Sequence, residues 1–184
     1  MTKKTYTLIA LMSLILSLTW IILTPILFPG VDAQQEISAP HEGFLAPQFS
    51  LESTENIVHA FDDYNGQPVL IFFWASWCSI CKRIMPDLQQ VYETYQPEGF
   101  EILAVNATNQ DSFTDAVNYF TSQDYTYKML LDTQGEVTSQ YQLHAFPTSV
   151  LLGPDGVIID VVIGTGMNGA YLSTQLDQLF SNGD

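Results

Sequence analysis

Cys78 and Cys81 are the only two cysteines of this 184-residue chain, and two residues separate them. They sit in Trp74-Ala75-Ser76-Trp77-Cys78-Ser79-Ile80-Cys81-Lys82. Cysteines at this spacing come within disulfide reach when they occupy the first turn of a helix. The N-terminus of a helix also stabilises a thiolate. The chemistry this predicts is that of a redox dithiol. A purely structural bridge fits less well, because a disulfide stabilises chiefly by closing a long loop. A zinc site normally needs four ligands, and His41, His59 and His144 lack metal-motif spacing to supplement the pair.

The elements needed to hold such a pair are visible on either side. Val69 to Trp74 is continuous, apolar and partly β-branched, as in a central strand buried on both faces. Lys82 to Tyr95 follows a helical pattern with Ile84, Leu88, Val91 and Tyr95 on one face. Pro86 lies inside it, so a kink is expected where a backbone hydrogen bond is lost. Pro97 and Gly99 end the helix.

Further along, Phe100 to Ala107 reads as a second buried strand. Asp111 or Ser112 caps a helix carrying Phe113, Val117 and Phe120. Tyr127 to Leu131 is a short strand and Gly135 to Tyr141 a short helix. Thr148 to Leu152 and Val157 to Gly164 are strands joined by Gly153-Pro154-Asp155-Gly156, a hairpin signal. Asn168 or Gly169 opens a last helix with Tyr171, Leu172, Leu176 and Leu179 on its apolar face. Upstream, Phe49 and Leu51 alternate with polar residues, Ser53 to Asn56 is a turn, and Ile57 to Phe61 is a partner strand. The order β-β-β-α-β-α-β-α-β-β-α predicts an α/β fold around one mixed sheet.

Charge and hydropathy divide the chain. Lys3 and Lys4 precede an uncharged apolar run, Tyr6 to Phe28, whose 23 residues meet the length of a membrane-spanning helix. Positive residues before it predict a cytoplasmic N-terminus and an extracytoplasmic remainder. The expected organisation is a cytoplasmic segment 1–5, a single-pass anchor 6–28, a polar linker 29–42 and a folded domain 43–184. The alternative is a signal peptide cleaved after Val31-Asp32-Ala33. No cysteine lies near the end of the run, which excludes a lipidated anchor. Beyond residue 30, twenty acids face only Lys82, Arg83 and Lys128, a charge of about −17. That excludes a nucleic-acid partner, which needs basic surface. No glycine-rich dinucleotide fingerprint is present.

With these residues in place, the chain resembles the thioredoxin superfamily and, within it, the TlpA/ResA-like membrane-anchored thiol–disulfide oxidoreductases. The resemblance is carried by Trp74 to Lys82 with Pro86 five residues after the second cysteine, and by Phe146-Pro147-Thr148, similar to the family's cis-proline segment. Gly43 to Phe49, Asp132-Thr133-Gln134-Gly135 and Pro154-Asp155-Gly156 also match. It spans about residues 43 to 180. The implied fold is thioredoxin-like: a central mixed β-sheet flanked by helices, with an N-terminal β-hairpin extension and the N-terminal transmembrane helix.

In that setting Cys78, at the strand–helix junction with its sulfur toward solvent, is the expected nucleophile. Cys81, one turn in and more buried, is the expected resolving thiol. No cofactor is expected beyond the redox-active disulfide Cys78–Cys81. Pro147 is expected to be cis and to face the pair, placing the Phe146 backbone where an incoming polypeptide can pair with it. Trp77 is a candidate for substrate contact, whereas Trp74 reads equally as core. Lys82, Asp111 and His144 are candidate modulators. The expected partners are disulfide-bearing exported proteins, apocytochrome c among them, and a membrane dithiol electron carrier.

Two departures from the family stand out. Cytosolic thioredoxins carry a buried acid in the central strand where this chain has Phe72. The resemblance also implies an acidic residue after the Val-Asn strand, for which Asp111 is the candidate. The spacer Ser79-Ile80 lacks the proline frequent in reducing members, which leaves the direction of electron flow open toward a disulfide-forming oxidase. A peroxiredoxin-type peroxidase would need a Pro-x-x-x-Thr-x-x pattern that residues 71 to 77 lack. A Sco-type copper-delivery protein would need three residues between the cysteines.

Overall fold

In the computed structural model, residues 12–17, 19–20 and 40–181 are described. The chain divides into two units, Met1–Glu36 and Ile37–Asp184. Of the first, residues 12–17 and 19–20 are helical. The expected anchor over residues 6–28 falls largely outside the described residues, as do most of the linker and the Val31-Asp32-Ala33 site. Among the described residues no helix is long and apolar enough to cross a membrane.

The second unit contains, in chain order, β1 (Ser50–Ser53), β2 (Val58–Ala60), β3 (Val69–Trp74), α1 (Ser79–Tyr95), β4 (Glu101–Asn106), α2 (Phe113–Ser122), β5 (Lys128–Leu131), α3 (Glu136–Gln140), β6 (Thr148–Leu152), β7 (Ile158–Ile163) and α4 (Gly169–Ser181). The strands form one seven-stranded sheet in the order β2-β1-β5-β4-β3-β6-β7. β5, β4 and β3 run parallel, and β6 and β7 continue the sheet antiparallel from β3. The β1–β2 hairpin extends the opposite side, against β5. This is the α/β architecture the element order predicts.

Every residue of β3 is buried, and the strand's alternation sorts them between two cores. Leu70, Phe72 and Trp74 pack with Cys78, Cys81, Ile84, Met85, Leu88 and Tyr92 of the α1 side. Val69, Ile71 and Phe73 pack on the other face with Phe49, Phe61, Val137 and Tyr141. A run apolar on both faces forms a central strand because helices and loops cover both sides of it.

Several expectations are corrected. α1 begins at Ser79 rather than Lys82, because Cys78 serves as its N-cap. β2 stops at Ala60: Asp63 accepts from the Ala60 N–H at 2.9 Å and draws Phe61–Tyr64 into a 3-10 turn. Of the two expected caps of α2 it is Ser112 that serves, accepting from the Asp115 N–H. Tyr171, placed by periodicity on an apolar face, is exposed, as is Phe113 at the start of α2. Tyr171 instead donates its hydroxyl to Asp160 at 2.6 Å. α1 ends in a short 3-10 turn closed by Gly99, whose φ of 101° only glycine adopts without strain.

Candidate functional site

The two cysteines lie where parallel strands β3 and β4 end, the edge at which α/β sheets place their sites. Beyond Trp74 the chain turns, with the Cys78 N–H donating to the Ala75 carbonyl at 3.0 Å. Cys78 has extended backbone and caps α1, while Cys81 lies in the helix's first turn. The pair forms a disulfide with Cα atoms 5.3 Å apart. Cys78 Sγ also accepts from the Cys81 N–H at 3.1 Å. Cys81 is fully buried and Cys78 is 6% exposed. The expected inequality is present, but Cys78 is less open to solvent than its position at the junction predicts. Its sulfur is held against the helix's first turn by both of these contacts.

β6 runs antiparallel beside β3 at this end of the sheet. Thr148 pairs with Phe73, so Pro147 comes one residue further along, opposite Trp74. The Phe146–Pro147 bond is cis. Pro147 is buried, and its carbonyl accepts from the Gly164 N–H at 2.8 Å. Phe146 is half-buried and meets Trp77 edge-on, with ring centroids 5.8 Å apart. Trp77 itself is 60% exposed, and Ile80 is exposed in the spacer between the cysteines. Trp74, by contrast, is wholly core. A cleft of about 530 Å³ opens beside Trp77 and Phe146, lined also by Asn109, Gln110, Ser139 and His144. His144 is thus a cleft residue, exposed to solvent.

The cations sort differently. The Lys82 ammonium lies over the Tyr119 ring, 4.4 Å from its centroid. Arg83 is exposed. Lys128 is paired with Glu101 at the start of β4, at the other end of the strand from the disulfide.

Asp111 comes to the site from the loop after β4. Its Oδ2 accepts from the Ser76 N–H at 2.5 Å and from Asn106 Nδ2 at 2.8 Å. Its Oδ1 accepts from the Ser76 hydroxyl at 2.6 Å and the Ser112 N–H at 2.8 Å. Burial raises the Asp111 carboxyl, but the hydrogen bonds from Asn106, Ser76 and Ser112 outweigh it and hold the group below the usual carboxylate range. Next to it, the Gln110 carbonyl accepts from Trp77 Nε1 at 3.0 Å. Sequence reasoning missed Ser76, Asn106 and Gln110. Asn106 ends an apolar strand and is fully buried, and a buried amide at a strand's end was the available signal. Among the described residues no group of three or more His, Cys, Asp or Glu side chains is placed to hold a metal ion.

Residues 43–161 match the AhpC/TSA family. The chain is 33% identical over 134 residues to the thiol-disulfide oxidoreductase ResA of Geobacillus thermodenitrificans (strain NG80-2), covering 71% of this chain and 74% of that one. The fold superposes on StoA from Bacillus subtilis with a TM-score of 0.61 at 27% identity, covering 71% of this chain and 96% of StoA. It superposes on the exposed lipoprotein thioredoxin Etrx1 of Streptococcus pneumoniae strain TIGR4 with a TM-score of 0.64 at 26% identity, covering 72% of this chain and all of the other.

Proposed function

This chain belongs to the AhpC/TSA family and is a thiol–disulfide oxidoreductase of the ResA type, and we propose that it is held at the cell membrane and reduces disulfides of exported proteins through Cys78 and Cys81. The observation that carries the proposal is the disulfide itself. It bridges the N-cap and first turn of α1, the more exposed sulfur accepts a backbone N–H, and the exposed Trp77 stands beside it.

The reaction runs in two exchanges. In the reduced protein the helix N-terminus and the Cys81 N–H favour the Cys78 thiolate. That thiolate attacks one sulfur of the partner's disulfide; the S–S bond breaks, and the partner's other sulfur leaves as a thiolate and takes up a proton. Cys81 then gives up its proton and attacks Cys78 in the mixed disulfide. The partner's second sulfur leaves, is protonated in turn, and the Cys78–Cys81 bond closes. Two electrons pass to the partner; of the two protons its thiols take up, one balances the proton Cys81 gives up and the other comes from solvent. The disulfide state in the structure is the product of that cycle, and a membrane dithiol carrier restores the dithiol. No cofactor beyond the two sulfurs enters this sequence.

Trp77 and Phe146 form the plate on which the partner polypeptide rests, with Pro147 as the buried wall behind it. Location outside the cytoplasm is supported by the apolar run Tyr6–Phe28 behind Lys3 and Lys4. It is also supported by the likeness to an exposed lipoprotein thioredoxin. Apocytochrome c, which must hold its cysteines reduced to accept haem, is the substrate the ResA likeness suggests.

The deciding experiment is Cys81→Ser in cells. The variant stalls at the mixed disulfide on Cys78, and mass spectrometry of the trapped species identifies an exported cysteine protein. Failure to trap any partner, together with a wild-type protein that does not reduce insulin, sinks the proposal. The Cys78–Cys81 reduction potential tests direction: a value near about −270 mV marks a reductant, and one near about −120 mV a disulfide-forming oxidant.

A further inference from the structure

We infer that Asp111 is a positioning residue: its ionised carboxylate latches the Ser76–Trp77 turn to the loop after β4 and so fixes the indole plate that receives the partner polypeptide. The inference rests on the reading of the Cys78–Cys81 pair as the exchanging dithiol, and it assigns Asp111 a role other than acid–base exchange with the sulfurs.

The donor set carries it. Four donors converge on the two oxygens, and three of them are N–H groups that can only donate: Ser76 N, Asn106 Nδ2 and Ser112 N. The fourth is the Ser76 hydroxyl. An ionised carboxylate offers about four lone-pair sites and no hydrogen, so it matches this set. A protonated acid or an amide does not. An Asn side chain at this position turns its NH₂ either toward Ser112 N–H or toward Ser76 N–H and Asn106 Nδ2, donor against donor in both cases.

The grip is short and doubled. Ser76 is buried and stands two residues before Cys78, and Asp111 holds it by backbone and hydroxyl together. Trp77 is held by its indole N–H on the carbonyl of Gln110, the neighbour of Asp111. The inner end of the latch is Asn106, fully buried at the end of β4, whose amide also reaches the Trp74 carbonyl. Thus the turn and the indole are tied to one loop, 33 to 35 residues away in sequence, and the last residue of β3 to Asn106 just before that loop. Trp77 is 60% exposed, so its own packing is too sparse to fix it. The latch supplies what packing does not. With both carboxylate oxygens engaged, the group has no free lone pair to take a proton from Cys81.

The test uses the full chain and insulin disulfides as substrate, with dithiothreitol as electron donor. In Asp111→Asn, KM for insulin rises about tenfold, the scale of one charge-assisted hydrogen-bond set lost from a binding plate, while kcat changes by less than threefold. The ¹⁵N resonance of the Trp77 indole N–H moves, and its exchange with solvent quickens. Ser76→Ala, which removes the hydroxyl alone, shifts KM in the same direction by a smaller factor, and the double variant is less than additive. Should Asp111→Asn fail to fold, Ser76→Ala alone decides. The inference is overturned if KM stays within twofold of wild type, if kcat falls by more than KM rises, or if the Trp77 indole signal does not move. A wild type unable to reduce insulin at all would instead overturn the exchange reading beneath it.

Discussion

The Tyr119 hydroxyl donates to the Lys82 carbonyl at 3.4 Å, while the Lys82 ammonium lies over the Tyr119 ring. The first contact answers a question posed by Pro86. In an α-helix the Lys82 carbonyl would accept from the N–H four residues on, and proline has none. α1 nevertheless continues from Ser79 to Tyr95. A side chain from α2 takes the vacant place, one residue after Cys81, and ties the two helices together at the base of the site.

Tyr119→Phe keeps the ring and deletes the hydroxyl. It should cost about 0.5–1.5 kcal/mol in urea unfolding, the net worth of one hydrogen bond. In a Pro86→Ala background the Lys82 carbonyl regains its helical partner, and the same substitution should cost less. Equal costs in both backgrounds would show that Tyr119 does not substitute for the missing N–H.

Cys78 and Cys81 should differ in reactivity once reduced. Cys78 keeps a sliver of exposure and a backbone donor for its thiolate, whereas Cys81 has no exposure at all. With substoichiometric iodoacetamide at neutral pH, Cys78 should be alkylated at least about tenfold faster, as expected for a thiolate at a helix N-terminus. Peptide mass spectrometry reads the ratio, and preferential labelling of Cys81 would reverse the assigned roles.

What could be read in advance follows from the range of each interaction. β3 was legible because an unbroken apolar run has few folded fates, and α1 because Ile84, Leu88, Val91 and Tyr95 repeat at helical spacing. Met85 and Tyr92 lie outside that row and are buried too, because the real apolar stripe is wider than a single row. Tyr171 shows the converse. Spacing states which residues share a face of a helix but not how far along the axis the neighbouring sheet extends. The cysteines and the cis Phe146-Pro147 bond were visible as local motifs. The Asp111–Ser76 latch was not, because hydrogen bonds spanning 35 residues leave no periodic trace.

Trp77→Ala should weaken partner binding without unfolding the domain. The edge-on contact with Phe146 is worth about 0.5–1.5 kcal/mol beyond area burial, and little else holds the exposed indole apart from the Gln110 carbonyl. The expected outcome is a KM for insulin raised severalfold, with an unfolding midpoint close to wild type. Phe146→Ala should act in the same direction and be non-additive with Trp77→Ala. Strictly additive effects would mean that the two rings do not work as one surface.

Asp111 gives the stability of the domain a dependence on pH with a definite sign. Its carboxyl is held below the ordinary aspartate value of 3.8 by hydrogen bonds that outweigh its burial. A folded-state value below the unfolded one means the ionised form is bound more tightly in the native protein. That contribution is fully present above the unfolded value, near pH 4, and is lost as pH falls through the folded value. Asp111→Asn, which leaves N–H donors facing an NH₂ group, should cost about 1–3 kcal/mol at pH 7. The difference between wild type and variant should stay constant from pH 7 to about pH 5 and shrink below about pH 4, as the unfolded chain takes up a proton that the native carboxylate accepts only at lower pH. Urea unfolding of both proteins across pH 2.5 to 7 measures it. A difference that grows on acidification, or does not vary, would show that the carboxylate charge is not what holds Ser76.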